Sequence, residues 1–135
     1  MIEQLIENLE CQALDDFWYD VQFDIATEKL EHFSQEDWER LIQMLPFENE
    51  IKNQCVLECL AAVININSLY CIQKIIENCD VELLRYCVLS LNNHDSGLLS
   101  EIAKKKIITH ANIICDSPND QLNFILTDII SKITL

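Results

Sequence analysis

A single glycine, Gly97, and two prolines, Pro46 and Pro118, constrain the fold of this 135-residue chain more than any motif in it. Sheet proteins of this size use glycine, proline and Asn-Gly pairs in their hairpins. Phosphate-binding loops, nucleophile elbows and dinucleotide-binding turns also need glycine, because the backbone there takes positive φ or approaches a ligand closely. The scarcity of glycine therefore favours an all-helical protein and argues against these common enzyme sites.

Apolar residues recur at helical spacing along almost the whole chain, and side chains suited to capping stand at the breaks. The pattern predicts one all-α domain, residues 1–135, of about eight helices joined by turns short enough to make neighbouring helices antiparallel. The predicted helices are Glu3 to Ala13, Asp15 to Phe33, one opened by Ser34 with Asp37 in a weak capping box, Glu48 to Ile64, one capped by Asn67 or Ser68, one capped by Asp80, Leu98 to Cys115 behind Ser96, and one begun by Ser117-Pro118-Asn119-Asp120.

Two short stretches repeat weakly along the sequence. Residues 59–65 (CLAAVIN) resemble residues 87–93 (CVLSLNN), and residues 41–45 (LIQML) resemble residues 71–75 (CIQKI). Helix pairs that repeat at such spacings, about 30 to 45 residues, are typical of helical solenoids. We therefore predict a HEAT-like α-solenoid stack, with an irregular helical bundle as the alternative.

The pattern of the seven cysteines indicates that they pack in the core rather than bind a metal or act as reactive thiols. Their number is odd, most lie in apolar helical stretches, and no signal-peptide pattern follows Met1, so we expect free thiols in a reducing cytoplasm. Cys55 and Cys59 are one helical turn apart, but no Cys-x-x-Cys knuckle or His-Glu-x-x-His pattern accompanies them. We predict no metal site, no catalytic residue and no cofactor, and we expect the chain not to be an enzyme.

The net charge of −14 is concentrated at one end of the sequence. Residues 1–50 hold 14 acidic residues against only Lys29 and Arg40, whereas residues 51–135 hold nine acids and seven bases. A chain this acidic repels nucleic acid and anionic membranes, so we expect neither as a partner. The sign suits a basic protein partner, although acidity can also serve solubility alone.

The strongest local feature lies in the second predicted helix, where acidic residues follow one another at i+4. Asp16, Asp20, Asp24 and Glu28 should form one strip, and like charges at this spacing work against the helix. On an α-helical wheel Leu14, Val21 and Ile25 form one apolar arc, and Tyr19, Phe23, Ala26 and Leu30 form another. We therefore expect the helix to pack on two sides and to present an acidic ridge to solvent.

Aromatic residues beside the ridge, and further acids on the following helix, extend the predicted binding surface. Aromatic side chains are the usual anchors of protein interfaces, and acidic strips speed encounter with basic partners. The predicted partner-binding residues are Asp16, Trp18, Tyr19, Asp20, Asp24, Glu28, Glu31, Glu36, Asp37 and Glu39.

In length, charge and helical plan the chain resembles the small acidic immunity proteins of bacterial toxin–immunity systems, including contact-dependent growth inhibition, several of which are short HEAT-type stacks. The resemblance implies a cytoplasmic antitoxin that covers the basic active-site surface of a cognate toxin, which we expect to be a nuclease. The alternative is a helical adaptor or regulatory subunit that holds a peptide or protein in a groove. A small helical enzyme would need a pocket that the sequence does not reveal, and the oligomeric state stays open.

Overall fold

The computed structural model describes residues 1–10, 15–115 and 120–134, and these residues are all-helical, without strands. The predicted fold class, all-α, is therefore confirmed for the described part of the chain. The α-helices there are α1 (Ile2–Asn8), α2 (Phe23–Glu31), α3 (Gln35–Met44), α4 (Glu50–Ala62), α5 (Ile66–Asn78), α6 (Val81–Ser90), α7 (Glu101–Thr109), α8 (Ala111–Cys115) and α9 (Asp120–Ile133). A π-helical turn, Trp18–Gln22, leads directly into α2, and a 3₁₀ turn, Ser96–Leu98, precedes α7.

Two of the predicted helix starts are confirmed by hydrogen bonds. The Asp37 backbone N–H donates to the Ser34 hydroxyl at 3.1 Å while the Asp37 carboxylate accepts from the Ser34 N–H, which completes a capping box. The Asp80 carboxylate accepts from the Leu83 N–H at 2.9 Å and begins α6. These caps hold the first turns of α3 and α6, where backbone N–H groups lack helical partners.

Other predicted helix boundaries were wrong. The first helix, predicted to run to Ala13, ends at Asn8. Asn65, rather than Asn67 or Ser68, caps α5, and its side chain accepts from the Ser68 N–H at 2.8 Å. Ser100, rather than Ser96, caps α7, because residues 96–98 are taken up by the 3₁₀ turn. The helix predicted from Leu98 to Cys115 is divided at His110 into α7 and α8. The helix start predicted at Ser117-Pro118-Asn119 lies outside the described residues.

The helices alternate between two layers. One series of contacts joins α1, α3, α5 and α7, and a second joins α2, α4, α6 and α8. The layers meet through contacts such as α1 with α2 and α5 with α4 and α6, while α9 packs on α6, α7 and α8. The buried apolar side chains, mainly Leu, Ile and Cys, form one core between these helices.

No helix among the described residues is long and apolar enough to cross a membrane. The longest is α9, with 14 residues, which is shorter than the roughly 20 residues that a bilayer requires.

Candidate functional site

The predicted acidic ridge, Asp16, Asp20, Asp24 and Glu28, is exposed along its whole length. The π turn affects how these acids align. In a regular α-helix, residues four apart drift by about 40° at each step, because four residues turn through about 400°. The π turn is wider and rotates each residue by less, so it offsets part of this drift between Asp16 and Asp24. The ridge is therefore straighter than an α-helix would make it.

None of the four ridge carboxylates makes an ion pair within the described residues. The nearby cations have other partners. Lys29 donates to the Gln4 carbonyl and the Asn8 side chain and so ties α2 to α1. Arg40 pairs with Glu3 at 2.7 Å, and Lys52 pairs with Glu10 at 2.8 Å. The ridge consequently keeps its full negative charge facing solvent.

An exposed apolar row runs beside the ridge, formed by Phe17, Val21 and Ile25, which directly follow the first three acids of the ridge. Their side chains are 57%, 41% and 39% exposed. The prediction that Val21 and Ile25 form a packing arc was therefore wrong, while Leu14 lies outside the described residues. Because these residues follow the acids by one position, they lie about 100° around the helix from the ridge. The outward side of this helix thus presents an acidic strip and an apolar strip together.

Trp18, predicted as a partner-binding residue, is fully buried and belongs to the core. The physical reason is the π turn, in which the Phe23 N–H bonds to the Trp18 carbonyl five residues earlier. In an α-helix these two side chains would point about 140° apart. Here their rings pack edge to face with centroids 6.0 Å apart. The turn moves Trp18 away from Val21 and Ile25 and onto the side of Ala26 and Leu30.

Tyr19 flanks the ridge on the side opposite to the apolar row, and its ring is 46% exposed. Its hydroxyl donates to the Glu58 carboxylate of α4 at 3.0 Å. Partial burial and this hydrogen bond to a negative group raise the pKa of Tyr19 to about 12. The bond holds the ring beside the acids. No local signal predicted the role of Glu58, which lies 39 positions further along the sequence.

The other predicted acids lie at the end of α2 and on α3. Glu31, Glu36 and Glu39 are exposed, whereas Asp37 is half-buried in its capping box. The hydrogen bonds from Ser34 lower the pKa of Asp37, so its carboxylate stays ionised in the cap. Because α3 packs on α1 and α5 while α2 packs on α1 and α4, the α3 acids Glu36, Asp37 and Glu39 belong to a different layer from the ridge. Glu31, Glu36 and Glu39, like the ridge acids, make no ion pair within the described residues.

Among the described residues, no group of three His, Cys, Asp or Glu side chains is arranged to hold a metal ion. A groove between α4 and α6 is lined by Leu57, Ala61, Tyr86 and Leu89 and has a volume of about 110 Å³. Such a space is smaller than the 300–1,000 Å³ typical of small-molecule sites. Comparison with protein-family models, curated proteins and solved structures gives no match to this chain.

Proposed function

We propose that this chain is an immunity protein that binds and neutralises a cognate bacterial toxin in the cytoplasm. The observation that carries the proposal is the pairing of an uncompensated acidic ridge with an exposed apolar row on one helix. Exposed apolar side chains rimmed by charge are the usual composition of a recognition surface. A basic protein with apolar residues between its cations is the partner that this surface fits.

The charge spacing suggests the class of toxin. Successive ridge acids are about 6 Å apart along the helix, given a rise of 1.5 Å per residue. A row of fixed, regularly spaced anions resembles a nucleic-acid backbone to a basic cleft. We therefore propose that the toxin is a nuclease and that the ridge covers the cleft in place of phosphates. Binding of this kind gives rapid encounter and depends strongly on salt.

The arrangement of helices supports a HEAT-like stack as the scaffold for this face. Consecutive helices alternate between two layers, as they do in repeated antiparallel helix pairs. The two weak sequence repeats fit this alternation, because residues 41–45 and 71–75 fall on α3 and α5 of one layer. Residues 59–65 and 87–93 overlap α4 and α6 of the other, and Cys59 and Cys87 are both buried. A scaffold of this kind would hold the ridge rigidly.

The first experiment is capture of the partner from the native bacterial lysate with the tagged protein, washed at low and at high salt. The proposal expects one small basic protein that salt releases and that is toxic when produced alone. Its affinity is then measured for the double reversal Asp20→Lys/Asp24→Lys. We expect affinity to fall by about tenfold or more, since two attractive contacts become repulsive.

A matched control changes the net charge equally at a different place. Glu101 and Asp128 each pair with a lysine on the C-terminal helices α7 and α9. The reversal Glu101→Lys/Asp128→Lys should leave affinity within about twofold, because surface ion pairs contribute little and the ridge is untouched. Equal losses in both variants would show that net charge, and not the ridge, drives binding. Unchanged affinity in the ridge variant would show that the ridge is not part of the interface.

The groove between α4 and α6 favours a second candidate, a helical adaptor that holds a peptide. Its volume suits one apolar side chain, and Tyr86, which is 38% exposed, stands at its wall. An adaptor would tolerate the ridge reversals and would lose its partner on the change Tyr86→Ala. The partner would also be retained at high salt, since apolar burial is not screened.

A further inference from the structure

Cys79 lies at the joint between α5 and α6, on the wall of an open cavity. It ends α5, and the next residue, Asp80, caps α6. The cavity has a volume of about 260 Å³, and the residues that line it include Cys79, Asp80, Glu48 and Glu50. Cys79 is half-buried, and its thiol donates to the Ile76 carbonyl at 3.7 Å. The site lies apart from the acidic ridge on α2.

A fixed cation stands next to this thiol. The Lys106 ammonium, on α7, donates to the Cys79 carbonyl and lies 4.0 Å from Cys79 Sγ. Lys106 is itself half-buried, so the backbone bond holds the charge in place. A lysine ammonium at this distance favours the thiolate over the thiol, and the thiolate is the nucleophilic form of cysteine.

A second thiol, Cys87 of α6, lies behind Cys79 and is fully buried. Its hydrogen bond lowers the pKa of Cys79, and Lys106 acts in the same direction, while burial and Asp80 act against them. Burial, together with the hydrogen bond to Cys79, raises the pKa of Cys87. The proton therefore stays on Cys87, and the negative charge develops on Cys79, the one of the two cysteines that lines the cavity.

We propose that Cys79 is a thiol-modification site that forms mixed disulfides with small cationic disulfides entering this cavity. The Cys79 thiolate attacks one sulfur of the disulfide, and a new S–S bond forms as the original one breaks. The leaving thiolate departs with the electron pair and takes a proton from water. Cys79 is oxidised, and the small disulfide is reduced. The carboxylates of Glu48, Glu50 and Asp80 attract cationic reagents and repel anionic ones such as glutathione disulfide.

The test is the reaction of the full chain with cystamine, a cationic disulfide, followed residue by residue by peptide mass spectrometry. The reference within the same molecule is Cys115, which is exposed on α8. Cys79 should be modified faster than Cys115 near pH 7 despite being less exposed. Faster reaction at Cys115 would overturn the proposal. In the variant Lys106→Gln the Cys79 rate should fall by about threefold. The smaller thiolate population is partly offset by the greater nucleophilicity of the thiolate that remains. An unchanged rate would exclude the role of Lys106.

Two further measurements keep the proposal testable if Lys106→Gln does not fold. The pH profile of the Cys79 rate in the folded wild-type chain should reach its plateau at lower pH than in the same chain unfolded by urea. Equal profiles would mean that the fold does not activate this thiol. The variant Glu48→Gln/Glu50→Gln should lower the ratio of cystamine rate to glutathione disulfide rate by about threefold or more. An unchanged ratio would show that these carboxylates do not determine which reagent is preferred.

Discussion

Neutralising the centre of the acidic ridge should stabilise the protein. The double variant Asp20→Asn/Asp24→Asn keeps side-chain shape and removes the charges from three like-charge neighbours, 16–20, 20–24 and 24–28. Each such pair at i, i+4 destabilises a helix by roughly 0.2–0.5 kcal/mol. No ion pair within the described residues offsets them. The helical backbone runs without a break from Asp16 through the π turn into α2, so Asp20 and Asp24 lie beyond its first turn, where the helix dipole would favour an acid. The free energy of unfolding should therefore rise by about 1 kcal/mol.

The measurement is urea unfolding followed by circular dichroism at two ionic strengths. The screening length is about 30 Å at 0.01 M and about 3 Å at 1 M, so repulsion between neighbouring acids acts only in the first buffer. The gain in stability should be present at low salt and absent at high salt. The control is Glu3→Gln, which removes a charge that Arg40 already pairs with at 2.7 Å and should give no gain. A variant with no gain at low salt, or a gain that survives 1 M salt, would refute the reasoning.

Two further predictions concern the core. Trp18→Ala should lower the free energy of unfolding by about 3–5 kcal/mol in urea titration, because it empties a fully buried aromatic site; a loss below about 1 kcal/mol would place the ring at the surface. Burial lowers the pKa of His94, whose Nε2 lies 2.8 Å from the Leu60 carbonyl. The contribution of His94 to the free energy of unfolding should then be fully present above pH 6.5 and fall at lower pH, because the unfolded chain takes up a proton more readily than the folded chain. The variant His94→Gln should flatten the pH dependence of the free energy of unfolding between pH 7.5 and 5.5.

The sequence correctly predicted the helix starts at which a capping residue stands directly at a break in the apolar pattern. Ser34 and Asp80 each stand just before such a pattern and make the predicted bonds. The starts of α5 and α7 depended on a choice between neighbouring polar residues. Asn65 and Ser100 are the residues whose side chains accept from the N–H three positions further on, and spacing alone does not distinguish them from their polar neighbours.

The candidate site was predictable in its charge but not in its apolar part. Acids four residues apart stay on one side of the helix in both α and π geometry, so the exposure of the ridge could be predicted from the sequence. The assignment of Trp18 as surface and of Val21 and Ile25 as packed residues assumed 3.6 residues per turn. One π turn changes the angle around the helix axis between residues before it and residues after it. Nothing in the local composition marks where this turn lies. The Cys79 site needed Cys87 and Lys106, which only the tertiary fold brings together.

The π turn also affects how this surface can change by mutation. Compared with an α-helix joining the same ends, it holds one additional residue. Deleting one residue between Trp18 and Gln22 would restore α geometry and leave Asp16 and Phe17 facing as they do now relative to Ala26. An α-helix of the present length would instead turn Asp16 and Phe17 by about 100°. The helix thus absorbs the extra residue, and a lineage could gain or lose it without redirecting the acidic and apolar strips at the N-terminal end.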